Sequence, residues 1–219
     1  GCFSFPFHKT LATLGEGDIL VGQHALSAHL IPILRHNGPC AFPGYPPVYW
    51  IPAMGTVDFP DLDVERLWPA NYCLGEVECA LGAKQLERVP EINRQKRERA
   101  LAFIDALADF PELVFHREDS SRHNYHLLAA RMEGDVMRRD DFIRILFKEY
   151  GIKCVVQYYP LNRYPFYRKL GFGEAGCPHA DEFFDHMISL PFQHSLADDE
   201  FAYVLDATRK TLSRLRASC

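Results

Sequence analysis

The sequence predicts an α/β protein in which helices pack on a small sheet. In its second half, segments with strand and helix patterns alternate: "NYHLLAARM", "RRDDFIRILFKEYG", "IKCVVQYY", "HADEFFDHMISL" and "DDEFAYVLDATRKTLSRLR". The first and third have the pattern of strands, and the other three have the pattern of helices, an alternation that favours this fold class. The 219 residues are 47% hydrophobic, enough for a substantial core.

The first half begins with a short strand and a helix. The apolar run "DILVG" (Asp18–Gly22) predicts a buried strand. The stretch "QHALSAHLIPILRHNG" has leucines at helical spacing and predicts a helix that ends near Asn37. Pro32 lies inside that stretch, so we expect the helix to be kinked or divided there.

A segment rich in proline and aromatic residues follows, from Pro39 to Pro69. Its seven prolines break regular structure, yet it is too apolar for a disordered linker. Its aromatic residues include Phe42, Tyr45, Tyr49, Trp50 and Trp68. A long aromatic loop covers either its own domain or a partner subunit or pocket, and the sequence leaves both possibilities open.

Two further helices are predicted after this loop. The first is "CLGEVECALGAKQLERV", and the second begins at Pro90 with "PEINRQKRERALAFIDAL", because proline is favoured in the first turn of a helix. The charged middle of the second helix suits a connection between two domains. We therefore expect one domain over residues 1–89 and another over residues 90–219.

Charge and cysteine content exclude several classes of protein. The net charge is −5 and the basic residues form no long tract, so we expect no nucleic-acid partner. No apolar run is long enough to cross a membrane, so we expect no membrane partner. The seven cysteines are scattered without a C-x-x-C pair, which predicts reduced thiols in a cytoplasm and no metal centre.

Lys9 is the first candidate for chemistry. A lysine that acts as a nucleophile must be partly unprotonated, which requires a partly buried site. The neighbouring apolar residues suit such a site: Phe3, Phe5, Phe7 and Leu11. The alternative is a surface lysine beside the turn "GEGD", and the local spacing by itself favours that alternative.

Four segments together resemble the DegT/DnrJ/EryC1/StrS aminotransferases, which are fold-type-I enzymes dependent on pyridoxal phosphate. The first, "SFPFHKTLATLGEGDILV", is similar to the family's active-site lysine segment. The second, "NYCLGEVECALGAKQLERV", resembles its Asn-Tyr-Arg helix, and the third, "QYYPLNRYPFYRKL", resembles its Tyr-x-Pro-x-His segment. The fourth, "ISLPFQHSLADDEFAYVLDA", is similar to the closing Leu-Pro helix. The four occur in family order over nearly the whole chain.

The resemblance implies roles for five residues. Lys9 would form a Schiff base with pyridoxal 5'-phosphate and later move a proton between the substrate and the cofactor. Ser4 would bind the cofactor phosphate, and Asn71 would reach the phosphate of the neighbouring subunit's cofactor, so that a homodimer shares its active sites. Tyr159 and Asn162 would line the sugar side of the pocket, although packing at a strand end accounts for Tyr159 equally well.

This chain departs from the family pattern at three positions within these segments, of which only Asn162 is among the five residues. Asp18 stands where the family has the last glycine of Gly-Glu-Gly-Gly. Cys73 stands where arginine is common, and Asn162 stands where histidine is common. Lys9 is retained, whereas a related dehydratase branch has histidine there. The resemblance therefore implies transamination of a keto sugar rather than dehydration.

Family members have a long segment before this lysine, which supplies other cofactor contacts. We therefore expect the chain to contain the end of the large cofactor-binding domain and a whole small domain, and to be inactive in isolation. The leading hypothesis is a ping-pong aminotransferase that uses a keto sugar (linked to a nucleotide or phosphate) with glutamate or glutamine as donor. The alternative is a non-catalytic subunit that dimerises with a complete paralogue. Replacement of Lys9 by alanine would separate the two hypotheses.

Overall fold

A short antiparallel hairpin begins the computed structural model, which describes residues 1–37, 69–118, 120 and 123–217. Strand β1 (Cys2–Ser4) pairs with strand β2 (Asp18–Leu20). The strand predicted at "DILVG" is therefore confirmed, but its predicted burial is wrong. Ile19, Leu20 and Val21 are 48% to 52% exposed, because no further strand of the described chain pairs with this hairpin.

Helix α1 (Ala25–Arg35) follows the hairpin where the leucine spacing predicts a helix. Pro32 lies inside α1 and does not divide it. The chain then turns at Asn37, whose φ of 58° is in the left-handed region that asparagine tolerates. The aromatic loop predicted between Pro39 and Pro69 lies almost wholly outside the described residues.

Helix α2 (Glu76–Ala106) is one continuous helix of 31 residues, so the prediction of two helices is wrong. Pro90 lies inside α2 and does not begin a new helix. A proline removes one helical hydrogen bond, and the buried stripe that follows stabilises the helix past that point. The stripe consists of Ile92, Lys96, Ala100 and Phe103. Contacts divide the chain into two compact units, Gly1–Val89 and Pro90–Cys219.

The second unit contains a three-stranded antiparallel sheet. Its strands are β3 (Leu113–Phe115), β4 (Leu128–Met132) and β5 (Met187–Leu190), in the order β3-β4-β5. The strand predicted in "NYHLLAARM" is confirmed as β4. The strand predicted in "IKCVVQYY" is wrong, since only Val155 forms an isolated bridge, to Ser189 of β5.

Four helices complete the second unit: α3 (Val136–Tyr150), α4 (Pro165–Lys169), α5 (Pro178–His186) and α6 (Asp198–Ala217). The predictions of α3 and α6 are confirmed. The helix predicted through "HADEFFDHMISL" ends at His186, and its last four residues form β5. A short apolar run such as "MISL" suits a buried strand and a buried helix equally, so its period could not separate the two.

The core of the second unit lies between its sheet and helices α2, α3 and α6. Its fully buried members include Phe103, Leu128, Met132, Phe142, Leu146, Ile188 and Leu212. Among the helices that the structure describes, none is long and apolar enough to span a membrane.

Candidate functional site

Lys9 lies in the loop that joins the two strands of the hairpin. The backbone of this loop is fixed by hydrogen bonds from Phe5 N to Gly17 O (2.6 Å) and from Phe7 N to Gly15 O (2.8 Å). Lys9 N donates to Pro6 O at 2.9 Å, which closes a turn just before the lysine side chain. Lys9 is half-buried, and no described residue forms a hydrogen bond or ion pair with its amine.

Thr13 anchors this loop to the rest of the first unit. Thr13 is 1% exposed, and its hydroxyl donates to Glu16 O at 3.1 Å. A Cβ atom at Gly17 would lie 2.3 Å from Thr13 Oγ1, and one at Gly82 would lie 2.9 Å from Thr13 Cγ2. Only glycine allows these approaches, so Gly17 of "GEGD" packs the lysine loop against Thr13.

Ser4 lies directly across the hairpin from Asp18. Side chains of opposed residues in an antiparallel pair point to the same face, with Cβ atoms about 5 Å apart. The Ser4 hydroxyl is exposed and could donate to a phosphate oxygen. The Asp18 carboxylate beside it would repel the same phosphate. The family has glycine in place of Asp18, so this chain differs from the family next to the phosphate contact expected of Ser4.

Thr10 was not among the predicted site residues. Its hydroxyl oxygen is buried and has no hydrogen-bond partner in the described part of the chain. A buried hydroxyl without a partner costs about 1–3 kcal/mol, so a ligand that accepted this hydrogen bond would gain from it. Its place immediately after Lys9 could have suggested this role, since hydroxyl groups beside a reactive lysine are suitable ligand contacts.

Asn71 is positioned by a short antiparallel bridge to His36, just beyond the end of α1. Tyr72 N donates to Arg35 O at 2.8 Å, which extends this pairing. The side-chain oxygen of Asn71 accepts a hydrogen bond from Cys73 N at 3.2 Å. The exposed amide nitrogen of Asn71 therefore remains as a donor, which is the polarity that a phosphate requires.

Tyr159 is 42% exposed in the second unit. Its ring contacts Tyr164 and Phe184 edge-on, with centroids 4.9 Å and 5.3 Å away. Asn162 donates from Nδ2 to Ala175 O at 3.1 Å, so its Oδ1 and the second N–H of Nδ2 are available to a ligand. Arg163, the next residue, forms ion pairs with Asp185 at 3.0 Å and Asp181 at 2.5 Å, and these carboxylates raise its pKa. The segment is thereby fixed to α5.

The five predicted residues fall into two groups. Ser4, Lys9 and Asn71 lie in the first unit, where the loop carrying Lys9 packs close to Leu74, three residues after Asn71. Tyr159 and Asn162 lie in the second unit. Within the described ranges, no cluster of three His, Cys, Asp or Glu side chains could hold a metal ion.

A second polar site, missed by the sequence analysis, lies at the turn before β4. A pocket of about 230 Å³ is lined there by His116, His123, Asn124 and the residues up to Ala129. Lys96 of α2 reaches the same turn, with Nζ 2.9 Å from His126 O, although its side chain is almost fully buried. The crowding of histidines in "HNYH" was the available signal for this pocket.

The comparisons with known proteins identify a family. A profile of the DegT/DnrJ/EryC1/StrS aminotransferase family matches residues 1–209. The spore coat polysaccharide biosynthesis protein SpsC of Bacillus subtilis is 30% identical over 218 residues, covering 94% of this chain and 52% of SpsC. A UDP-4-amino-4,6-dideoxy-N-acetyl-beta-L-altrosamine transaminase of Campylobacter jejuni is 29% identical over 164 residues, covering 69% of this chain and 42% of that protein.

Solved structures show the same relation. Spr1654 of Streptococcus pneumoniae, in its PMP-form, aligns with 99% of this chain at a TM-score of 0.78 and 22% identity. The aligned part is 52% of Spr1654, and at this identity the likeness concerns the fold. The chain thus spans about half the length of the curated relatives that it matches.

Proposed function

Because this chain belongs to the DegT/DnrJ/EryC1/StrS aminotransferase family, we propose that it acts in the transfer of an amino group to a keto sugar with pyridoxal phosphate. The observation that carries this proposal is the loop of Lys9. The lysine is half-buried and held by a fixed backbone, and no described residue pairs with its amine. A structural lysine would be expected to pair with a carboxylate or to extend into solvent.

The residues present fit the cofactor at several points. When bound, pyridoxal phosphate supplies an aldehyde that condenses with amines and a ring that accepts an electron pair. Lys9 offers the amine, and its Nζ would take the proton from the substrate carbon that bears the nitrogen. Ser4 and the buried hydroxyl of Thr10 offer hydrogen-bond donors for oxygen atoms of the cofactor.

The remaining assignments follow from the family and are part of the proposal. Asn71 would donate to the cofactor phosphate of the other protomer, so that a homodimer shares its sites. Tyr159 and Asn162 would contact the sugar, and glutamate or glutamine would donate the amino group. Residues 1–89 would be the end of the large cofactor-binding domain, and residues 90–219 would be the small domain. The UDP-linked amino sugar in the name of the Campylobacter jejuni relative supports a nucleotide-linked substrate.

The test of this function is the replacement of Lys9 by arginine in the protein expressed from its whole reading frame. Arginine keeps the charge but cannot condense with an aldehyde. We expect loss of the visible absorbance of bound pyridoxal phosphate and a fall of at least about a thousandfold in amino transfer to a UDP-linked 4-keto sugar, since the covalent step is lost.

The matched control is Lys84→Arg. Lys84 is exposed and pairs with Glu87 at 2.9 Å on α2, so this variant should keep both absorbance and activity. Borohydride reduction followed by peptide mass mapping should place the cofactor on Lys9. Unchanged absorbance and turnover in Lys9→Arg would refute the catalytic assignment and favour the non-catalytic subunit.

A further inference from the structure

The turn before β4 is fixed by hydrogen bonds between its own side chains and backbone. Tyr125 N donates to His123 Nδ1 at 3.1 Å, and His126 N donates to Asn124 Oδ1 at 3.1 Å. Tyr125 has a φ of 47°, a left-handed conformation that costs a residue with a bulky side chain about 1–2 kcal/mol. The surrounding bonds hold the chain in this conformation.

Two further contacts fix the turn from outside. The Tyr125 hydroxyl, which is buried, donates to Glu118 O at 3.0 Å and accepts from Glu118 N at 2.8 Å. Lys96 Nζ donates to His126 O at 2.9 Å and lies 5.3 Å from the ring centroid of Phe192. These contacts hold the turn in place without a ligand, and such preorganisation reduces the entropy lost on binding.

These bonds determine what the turn can offer to a ligand. A backbone N–H can only donate, so His123 Nδ1 must be the unprotonated nitrogen, and Nε2 then carries the proton. Burial and the neighbouring His116 lower the pKa of His123, which agrees with a neutral ring. Asn124 uses its oxygen in the same way, so its amide nitrogen remains. In both side chains the acceptor atom bonds to the backbone, and an N–H donor remains for a ligand.

We propose that the pocket lined by His116, His123 and Asn124 is a binding site for an oxyanion, a phosphate or a carboxylate group. The ring of His116 lies 5.1 Å from that of His123 and adds a third side chain with an N–H donor. Among the described residues, no hydrogen-bond partner occupies His123 Nε2 or Asn124 Nδ2. The volume, about 230 Å³, suits a small charged group rather than a whole nucleotide.

The charges around the pocket are consistent with this assignment. The ammonium group of Lys96 donates a hydrogen bond to the carbonyl oxygen of His126, and His126 also lines the pocket. Among the described residues, the carboxylate of Glu118 is a nearby opposing charge, and it accepts a hydrogen bond from Ser120 N at 2.8 Å. A bound anion would therefore meet several neutral N–H donors, which are the groups that bind phosphate and carboxylate in proteins.

The test is a titration of the full chain with inorganic phosphate and, separately, with acetate, at an ionic strength held constant with chloride. The imidazole C–H resonances of His116 and His123 are followed by NMR. We expect saturable shifts with at least one probe. In Asn124→Asp the association constant should fall at least about tenfold, because a donor is replaced by a carboxylate oxygen while the oxygen that accepts from His126 N is kept.

The control variant is Gln193→Glu, which adds the same charge at an exposed position of the second unit and should bind as the parent does. The His126 amide resonance reports whether the turn persists in Asn124→Asp. If the turn is lost in Asn124→Asp, the variant His116→Phe is compared with the parent instead. This change removes the N–H donor of an exposed side chain. Saturation by phosphate alone assigns a phosphate-bearing ligand, and saturation by acetate assigns a carboxylate. No saturable shift with either probe, or equal binding by the variants, would overturn the proposal.

Discussion

Lys96 is buried on α2, and no carboxylate of the described residues pairs with its amine. Its side chain is 4% exposed, and its amine meets a backbone carbonyl and an aromatic ring instead of a counter-ion. Desolvation lowers its pKa from 10.5 to about 8. Because the unfolded chain keeps the ordinary pKa, the burial of this lysine makes the stability of the fold depend on pH.

The first prediction concerns this pH dependence. Below pH 8 the lysine is charged in both states, and the desolvation cost is present in full. Between pH 8 and about 10.5 the unfolded state binds a proton that the folded state does not, so the free energy of unfolding rises. With about 1.4 kcal/mol per pKa unit, the total gain is about 3 kcal/mol.

Replacement of Lys96 by methionine should abolish this gain, since methionine has similar length and no charge. Urea unfolding between pH 7 and 10.5 measures the free energy of unfolding of both proteins. The contributions of the other titrating groups cancel in the difference between them. Lys84→Met, at an exposed position, should follow the parent profile. Parallel profiles for the parent and Lys96→Met would contradict the prediction.

The predictability of single residues depended on whether their role is local. Lys9 and Ser4 could be proposed as site residues from sequence because the motif around them is contiguous. The roles proposed for Asn124 and His123 depend on which backbone N–H groups their side chains meet, and a sequence pattern does not show those contacts. Lys96 occupies a helical position between Ile92 and Ala100, so the 3.6-residue period could have shown its burial.

At the scale of elements, α2 is the least expected feature. It continues through Pro90, which lacks the N–H that would bond to Leu86 O one turn earlier. The division between the two units falls at this same proline. Proline is common in the first turn of a helix, which is why Pro90 predicted a helix start. The buried stripe beyond Pro90 stabilises a continuous helix instead.

The second prediction follows from the missing hydrogen bond. Replacement of Pro90 by alanine restores the donor and removes the clash of the ring with the preceding turn. The free energy of unfolding should increase by about 1–2 kcal/mol, after allowance for the extra freedom that alanine gives to the unfolded chain. Denaturation in urea, followed by circular dichroism, provides the measurement.

Pro178→Ala provides the matched control for the helix prediction. Pro178 lies at the first turn of α5, where no helical hydrogen bond is lost. This variant should be neutral or slightly destabilised. If both variants shifted stability in the same direction by the same amount, the explanation by a missing helical bond would be wrong.

The shorter elements were harder to predict than the long ones. The long helices α3 and α6 have apolar positions over several turns, so their period identifies them. Strand β5 has four residues, all buried, and it directly follows α5. Pairing with β4, which lies 55 residues or more away in sequence, determines the conformation of β5. A pattern read over a few neighbouring residues cannot show this pairing.

For the whole molecule, the distribution of buried residues is uneven. The described residues of the first unit include only Leu11 and Thr13 among the buried ones, whereas the second unit holds the connected core of sheet and helices. Composition and the alternation of elements predicted the mixed α/β class. They do not predict how burial is shared between units, because that depends on contacts distant in sequence.

The third prediction concerns local stability. Amide hydrogens of the hairpin, such as those of Phe7 and Val21, should exchange more than about tenfold faster than those of β4 and α6, because few buried contacts oppose local opening. Hydrogen exchange with mass spectrometry resolves these segments in the intact chain. Equal protection of the hairpin and the core would show that the first unit is stabilised by contacts other than those described.

The half-exposed side chains of β2 also affect how this protein behaves at high concentration. No further strand of the described residues pairs with the outer edges of this short hairpin. With Ile19 and Leu20 on its surface, the hairpin is a template for strand pairing between molecules. Self-association would then begin at the segment that carries Ser4 and Asp18. Solubility and any cofactor chemistry would consequently depend on the same twenty residues. A surface substitution made there to improve solubility would also alter the cofactor chemistry.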